Sequence, residues 1–253
     1  MTTPKARRSL ARLPLPVLSL LGFAALWQIG GMLQLSPALP SFDKVARALV
    51  EIMQDRRFQE AVESTAISVV LTFFPAIAIG LVLGLAMGSN RWVDWILTPY
   101  LNLSLSLPLV SLIPIFLLIF GLGRASIIAV IVAYSLPAVI VNTFAGVRSV
   151  DADQLAMARS LGASRLLTYR RIVLPSASQL ILAGVRVAAG RAIKGSVIAE
   201  QVIGLVGLGG LIQRLGGAFA VEELYAVVLF IGLVGVLVVW ALGKLERGQV
   251  VVR

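Results

Sequence analysis

The sequence predicts an all-α membrane protein with six transmembrane helices and both termini on the cytoplasmic side. Three observations predict it. Of 253 residues, 58% are hydrophobic and 13% charged, with a mean hydropathy of +0.95, whereas soluble domains run near 45–50% apolar and about 25% charged. Apolar stretches of about 18 residues or more, enough to cross a bilayer core, occupy six windows at roughly 14–33, 65–88, 103–120, 126–146, 177–199 and 225–243. The basic residues behind the net charge of +10 collect on one side of those windows. Cysteine and histidine are both absent, which removes disulfides, thiol nucleophiles, imidazole bases and the usual zinc and haem ligands.

Lys5, Arg7, Arg8 and Arg12 precede the first run and place the N-terminus in the cytoplasm. A cleaved signal ending near Ala24-Ala25 is the competing reading. The run is long for a signal, however, and its removal would leave five spans with termini on opposite sides. Between the first two runs, Pro37 to Glu63 is the only long outer segment. Val45, Leu49, Ile52 and Met53 recur there at helical spacing and predict an amphipathic helix on the outer surface, with an ordinary solvated connector as the alternative.

In the second run Ala76, Gly80, Gly84 and Gly88 stand four apart, a small-residue ridge that lets another helix approach closely. Pro99, Pro108 and Pro114 interrupt any straight helix between Trp95 and Phe120, so the third span is expected to begin as an interfacial turn and end kinked. Pro75 and Pro137 read as kinks, and Ser135 and Asn142 as interhelical hydrogen-bonding groups. On this topology thirteen of the 22 basic residues lie inside and six outside. The outer ones are offset by seven acids. The charge is mostly a topology signal, and no separate basic face supports nucleic-acid binding.

Val147 to Pro175 forms the longest inner connection. Asp151 to Leu161 is helical by composition, with Asp151 and Asp153 at its first turn, where the macrodipole favours acids. Gly162 breaks it, Ser164 to Arg171 reads as a second short helix, and Pro175 starts the fifth span. The result is a compact helix-bend-helix knob suited to a partner's groove.

Ala158, Gly162, Ile172, Leu174 and Pro175 resemble the EAA loop of ABC-importer permeases, whose pattern is Glu-Ala-Ala, three residues, Gly, nine residues, Ile-x-Leu-Pro. Ala156 and Met157 depart from it at the first two positions. The resemblance extends through Leu39-Pro40-Ser41, Pro108 to Pro114, Asn142 to Gly146, Gly184-Val-Arg186 and Gly207 to Gly210, and is similar to the nitrate/sulfonate/taurine branch. It implies a type I importer permease in the bacterial inner membrane, pairing with a second copy, a cytoplasmic ABC ATPase dimer and an extracytoplasmic substrate-binding protein.

On that resemblance Ala158, Gly162, Ala163, Ile172, Leu174 and Pro175 couple the chain to the ATPase, which binds the ATP; the chain itself is expected to bind no cofactor or metal and to be no enzyme. Residues 1–60 would hold a cytoplasmic tail, the first span and the outer amphipathic segment; 61–244 the transmembrane core, with the coupling loop at about 151–175; and 245–253 a cytoplasmic tail. The cargo is expected to be a small anion such as a sulfonate, taurine or nitrate.

Arg186, Arg191 and Lys194 are the basic residues within a predicted span. An intramembrane charge is a functional-site hypothesis by default. Either these cations, with Glu200 beyond them, line a water-filled anion path, or Arg186 bonds a neighbouring helix and Lys194 snorkels outward, near Glu200. Gly190 to Ser196 resembles a phosphate loop but has no lysine after its second glycine, Gly195, and follows no strand. Gly204, Gly207, Gly209 and Gly210 predict a tight turn needing positive φ, or a flexible rim. A secondary transporter acting alone would have no need of the inner loop, and a membrane enzyme would lack its usual acid–base groups.

Overall fold

The computed structural model describes residues 15–203 and 206–250, which are helical almost throughout. The basic tail before residue 15 lies outside the described residues. Helix α1 (Leu15–Met32) crosses α2 (Phe42–Ile52) so closely that a Cβ on Gly31 would stand 2.3 Å from the Cα of Ser41. Gln28 and Asp43 fix this corner reciprocally. The Gln28 Nε2 donates to Asp43 Oδ1 at 2.9 Å, and the Asp43 N–H donates to Gln28 Oε1 at 3.0 Å. The Ser41 hydroxyl, Gln28 and Arg47 hold the Asp43 carboxyl far below the usual carboxylate range.

The expected amphipathic helix is α2, with Val45, Ala48 and Ile52 buried. Met53 does not share that face and is exposed, because the helix ends at Ile52 and the chain turns toward α3.

Helix α3 (Arg56–Ser89) is longer than its apolar window. Asp55 caps it by accepting from the Arg57 N–H at 2.7 Å, and Phe58 and Ala61 give its first turns a core of their own. Pro75 lies within it without ending it. Of the three prolines between Trp95 and Phe120 only Pro108 breaks the helix. Pro99 sits within α4 (Arg91–Ser106), and Pro114 occupies the first turn of α5 (Ile113–Phe120), where its missing N–H costs nothing. Leu107 is extended, as the residue before a proline prefers. A 3₁₀ turn at Leu109–Leu112 follows, and the two halves meet at 100°.

Helix α6 (Arg124–Arg148) and α9 (Leu174–Ile203) form the centre of the bundle. The glycine ridge of α3 meets α6 directly: Cβ atoms on Gly80, Gly84 and Gly88 would lie 2.7, 2.6 and 2.5 Å from the Cβ atoms of Val139, Thr143 and Val147. Rising numbers on both sides make α3 and α6 parallel. Gly146 faces Ala177, Gly184 faces Asn142 and Gly195 faces Tyr134, so α9 runs antiparallel to both. Gly190 beside Val239 and Gly243 beside Arg186 make α11 (Val221–Val250) antiparallel to α9.

Ser135 and Asn142 do not bridge helices as expected. Each bonds the carbonyl four residues back, Ile131 and Ala138, a local backbone acceptor that competes with any partner on a neighbouring helix.

Among the described residues, four helical stretches are long and apolar enough to cross a membrane: Arg56–Ser89, Arg124–Arg148, Arg165–Ile203 and Val221–Lys244. The bent α4–α5 pair makes a fifth, and the described apolar stretch of α1, Val17–Met32, is shorter. A helix absent from the sequence expectation, α10 (Gly207–Gly217), fills the space between α9 and α11 and packs on α3.

Candidate coupling loop and transport path

Between α6 and α9 the chain folds as the two-helix knob. Asp151 caps α7 (Ala152–Ser160), its side chain accepting from the Asp153 N–H at 3.0 Å. The helix closes with the Ala163 N–H on the Ala158 carbonyl and the Gly162 N–H on that of Arg159, both at 3.0 Å. Gly162 has φ +70 and open space where a Cβ would stand, so its backbone conformation, not crowding, requires glycine.

Ser164 caps α8 (Arg165–Thr168). The second helix expected at Ser164 to Arg171 is not separate: α8 is four residues long and its helical path continues through Pro175 into the fifth span. A π turn at Tyr169–Val173 joins it to α9. Pro175 has no N–H to offer the carbonyl of residue 171, and the widened turn absorbs that mismatch.

The knob leans on the ends of α3 and α6. Val147, Val150 and Val173 are buried together, with Leu85, Leu155, Tyr169 and Ile172 packed around them. Arg148 pairs with Asp94 of α4 at 2.7 Å on the same end. Ala158 is buried beneath α7, while Leu161 and Leu166 are 78% and 79% exposed on either side of Gly162. Leu174 and Pro175 are exposed at the base, and Ala163 is half-buried.

Within the bundle the three cations of α9 separate. Arg186 Nη1 pairs with Glu246 Oε2 at 2.8 Å. It shares with Lys194 a groove of about 510 Å³ between α9 and α11, lined also by Gly190, Gly235 and Trp240. Lys194 is exposed in that groove; Arg191 is half-buried and does not line it.

Glu200 is fully buried near the opposite end of α9. Its Oε2 accepts from Thr65 Oγ1 at 2.8 Å and from the Gly209 N–H at 3.1 Å. Of the glycines beyond it, Gly207 has φ +73, as a turn requires, but it opens α10, and Gly209 and Gly210 are helical; Gly204 lies outside the described residues. Gly190 to Ser196 is plain helix within α9.

Sequence reasoning missed Glu246 and Thr65. Thr65, Ser68 and Thr72 continue the ridge of Ala76, Gly80 and Gly84 backward at three- and four-residue steps, all buried, and that period was a usable signal. Glu246 carried none, because it stood among the basic residues of the C-terminal end.

A match to the family described as binding-protein-dependent transport system inner membrane component covers residues 76–249. The chain belongs to this family. The permease is 30% identical over 227 residues to the taurine transport system permease protein TauC of Escherichia coli (strain K12), covering 87% of this chain and 82% of that one. It is 28% identical to the putative aliphatic sulfonates transport permease protein SsuC of Bacillus subtilis (strain 168), covering 88% and 82%. A solved structure of the MetNI methionine ABC transporter in an inward-facing conformation aligns with a TM-score of 0.65 at 17% identity, over 76% of this chain and 96% of that one. The fold is that of a type I ABC-importer permease. Its work is transport within an inner membrane, not enzymatic catalysis, and the ATP of such importers binds to the partner ATPase.

Proposed function

We propose that this permease spans the membrane six times with both termini cytoplasmic, pairs with a second copy of itself, and imports a small anionic solute such as a sulfonate, taurine or nitrate. The observation that carries the coupling is the helix–Gly162–helix knob, which presents Leu161 and Leu166 to solvent at one end of the bundle. Two apolar side chains held out on a knob braced against α3 and α6 suit insertion into a cleft of an ATPase dimer. Ala158, Gly162, Ala163, Ile172, Leu174 and Pro175 then form and brace the coupling loop of about 151–175.

Parallel α3 and α6, with α9 antiparallel to both and α11 antiparallel to α9, agree with alternating spans two, four, five and six. The partition into residues 1–60, a core at 61–244 and a tail at 245–253 follows the same reading. An extracytoplasmic binding protein would deliver the solute at the end opposite the knob. TauC and SsuC, named for taurine and aliphatic sulfonates, support a cargo that carries an anionic sulfonate group.

Arg191 and Lys194 have no carboxylate partner among the described residues, and an unpaired cation at membrane depth is costly unless it meets water or an anion. They are the first candidates for the path. Arg186 contributes through a pair with Glu246, and Glu200 through its place at the outer end.

The test is co-purification with a co-expressed cognate ABC ATPase. Retention is expected for the parent chain and loss for Gly162→Val; equal retention would refute the coupling role. Arg191→Ala and Lys194→Ala should lower uptake of the cognate anion in chains that still assemble, and unchanged uptake would exclude them from the path. Thermal-shift screening of the binding protein with sulfonates, taurine and nitrate names the solute.

A further inference from the structure

At the end of the bundle opposite the knob, three helices meet on one carboxylate oxygen. Glu200 belongs to α9, Thr65 to α3, and the N–H groups of Leu208 and Gly209 to the first turn of α10. Thr65 Oγ1 donates to Glu200 Oε2 and itself accepts from the Leu208 N–H at 2.9 Å; the Gly209 N–H donates to the same Oε2. The opening N–H groups of a helix have no partner within it, so Glu200 and Thr65 cap α10 from two neighbouring helices.

The fit excludes side chains. A Cβ on Gly207 would stand 2.2 Å from Glu200 Cδ, and one on Gly209 2.2 Å from the Val197 carbonyl oxygen. Apolar packing could join these helices without burying a carboxylate. A carboxylate with directional bonds adds a fixed register, because sliding by one turn would strand it unpaired.

We propose that Glu200 and Thr65 are positioning residues of the transport path: they lock α10 to α3 and α9, so that the three move as one rigid outer wall while the path opens and closes. This rests on the permease reading. The lock predicts that relative motion during the cycle occurs elsewhere, at the α9–α11 groove or between copies, and not between α10 and α3.

The chain contains no cysteine, so introduced cysteines alone carry labels. With Gln213→Cys on α10 and Glu63→Cys on α3, spin-label distances are measured in the assembled complex in nanodiscs, with and without ATP. One narrow distribution, unchanged between the states, is expected. A shift between states with the lock intact would overturn the proposal.

Thr65→Val should broaden the distribution and lower the maximal rate of ATP-driven uptake about tenfold, the equivalent of about 1.4 kcal/mol, at an unchanged half-saturating solute concentration. Thr65→Ser, which keeps the hydroxyl, should match the parent. Glu200→Gln, which keeps one acceptor oxygen, should recover most of what Glu200→Ala loses. If Ser and Val behave alike at position 65, or Gln and Ala alike at position 200, the lock is wrong. Failure of the permease reading shows separately, as a parental complex without ATP-driven uptake whose label distances can still be read.

Discussion

Replacing Gly84 by alanine adds one methyl group in the middle of the close crossing of α3 with α6. That Cβ would sit 2.6 Å from the Thr143 Cβ and 2.8 Å from the Ile140 carbonyl oxygen. Carbon contacts are comfortable at about 3.5–4.0 Å, so roughly 1 Å must be recovered. The threonine side chain can yield a little, but the backbone oxygen cannot move without α6. Separating the helices also loosens the contacts of Gly80 and Gly88 with Val139 and Val147.

Overpacking of this kind costs about 1–3 kcal/mol, and alanine returns about 0.5–1 kcal/mol of helix preference. With the unyielding Ile140 carbonyl placing the site in the upper part of the overpacking range, the expected net effect is destabilisation by about 1–2.5 kcal/mol. Denaturant or thermal unfolding of the chain in detergent reads it. Gly22→Ala in α1, where nothing lies within 4 Å of the added atom, should be neutral or slightly stabilising. Equal stability of Gly84→Ala and the parent, or equal losses at both positions, would refute the close-packing argument.

Three further outcomes are expected. Asp43 has its carboxyl held below the usual range by Ser41, Gln28 and Arg47; its stabilisation of the α1–α2 corner is present above the unfolded value near 3.9 and is lost as pH falls through the lower folded value. Trp27, whose indole donates to the Pro40 carbonyl at 2.9 Å, should report this in its fluorescence, with the acid step reduced in Asp43→Asn. At the α9–α11 pair, Arg186→Leu alone should lower stability by about 1–2 kcal/mol because Glu246 is left partly buried without its partner, whereas Arg186→Leu with Glu246→Leu should recover most of that loss in the same unfolding assay. Gly162→Ala should cost about 1 kcal/mol at its positive φ, and Gly162→Asn less, measured as thermal stability of the complex with its ATPase.

What could be read in advance followed periodicity and backbone chemistry. The ridge of Gly80, Gly84 and Gly88 announced a helix contact, and small residues four apart have few other uses in lipid. Gly162 announced the bend because few residues accept its φ. The extent of α3 could not be read from hydropathy, since Phe58 and Ala61 extend it through contacts with α10 and α11 made far along the sequence. Helix α10 was hidden for a related reason: its glycines looked like a loop, and only the closeness of Glu200 and Val197 explains why a helix would begin with them. The three cations of α9 looked alike in sequence. Antiparallel packing brought Arg186 to Glu246, sixty residues away, and left Lys194 and Arg191 without such a partner among the described residues.

The 100° bend between α4 and α5 has a consequence for the solvent this chain needs. From Leu109 to Phe120 the second half reaches only about 20 Å at helical rises of 1.5–2.0 Å per residue, well short of the roughly 30 Å of hydrocarbon in a bilayer. A helix that stops partway exposes backbone amides and carbonyls at a depth where lipid tails can accept or donate nothing, and such a break persists only against protein or in a water-filled cavity. Leu107 and Leu109 border a cleft of about 340 Å³ against Leu136, Pro137 and Ile140 of α6, so the bundle itself shelters one side of the break. Where that break lies at hydrocarbon depth, its open side has to face water or another protein surface rather than lipid.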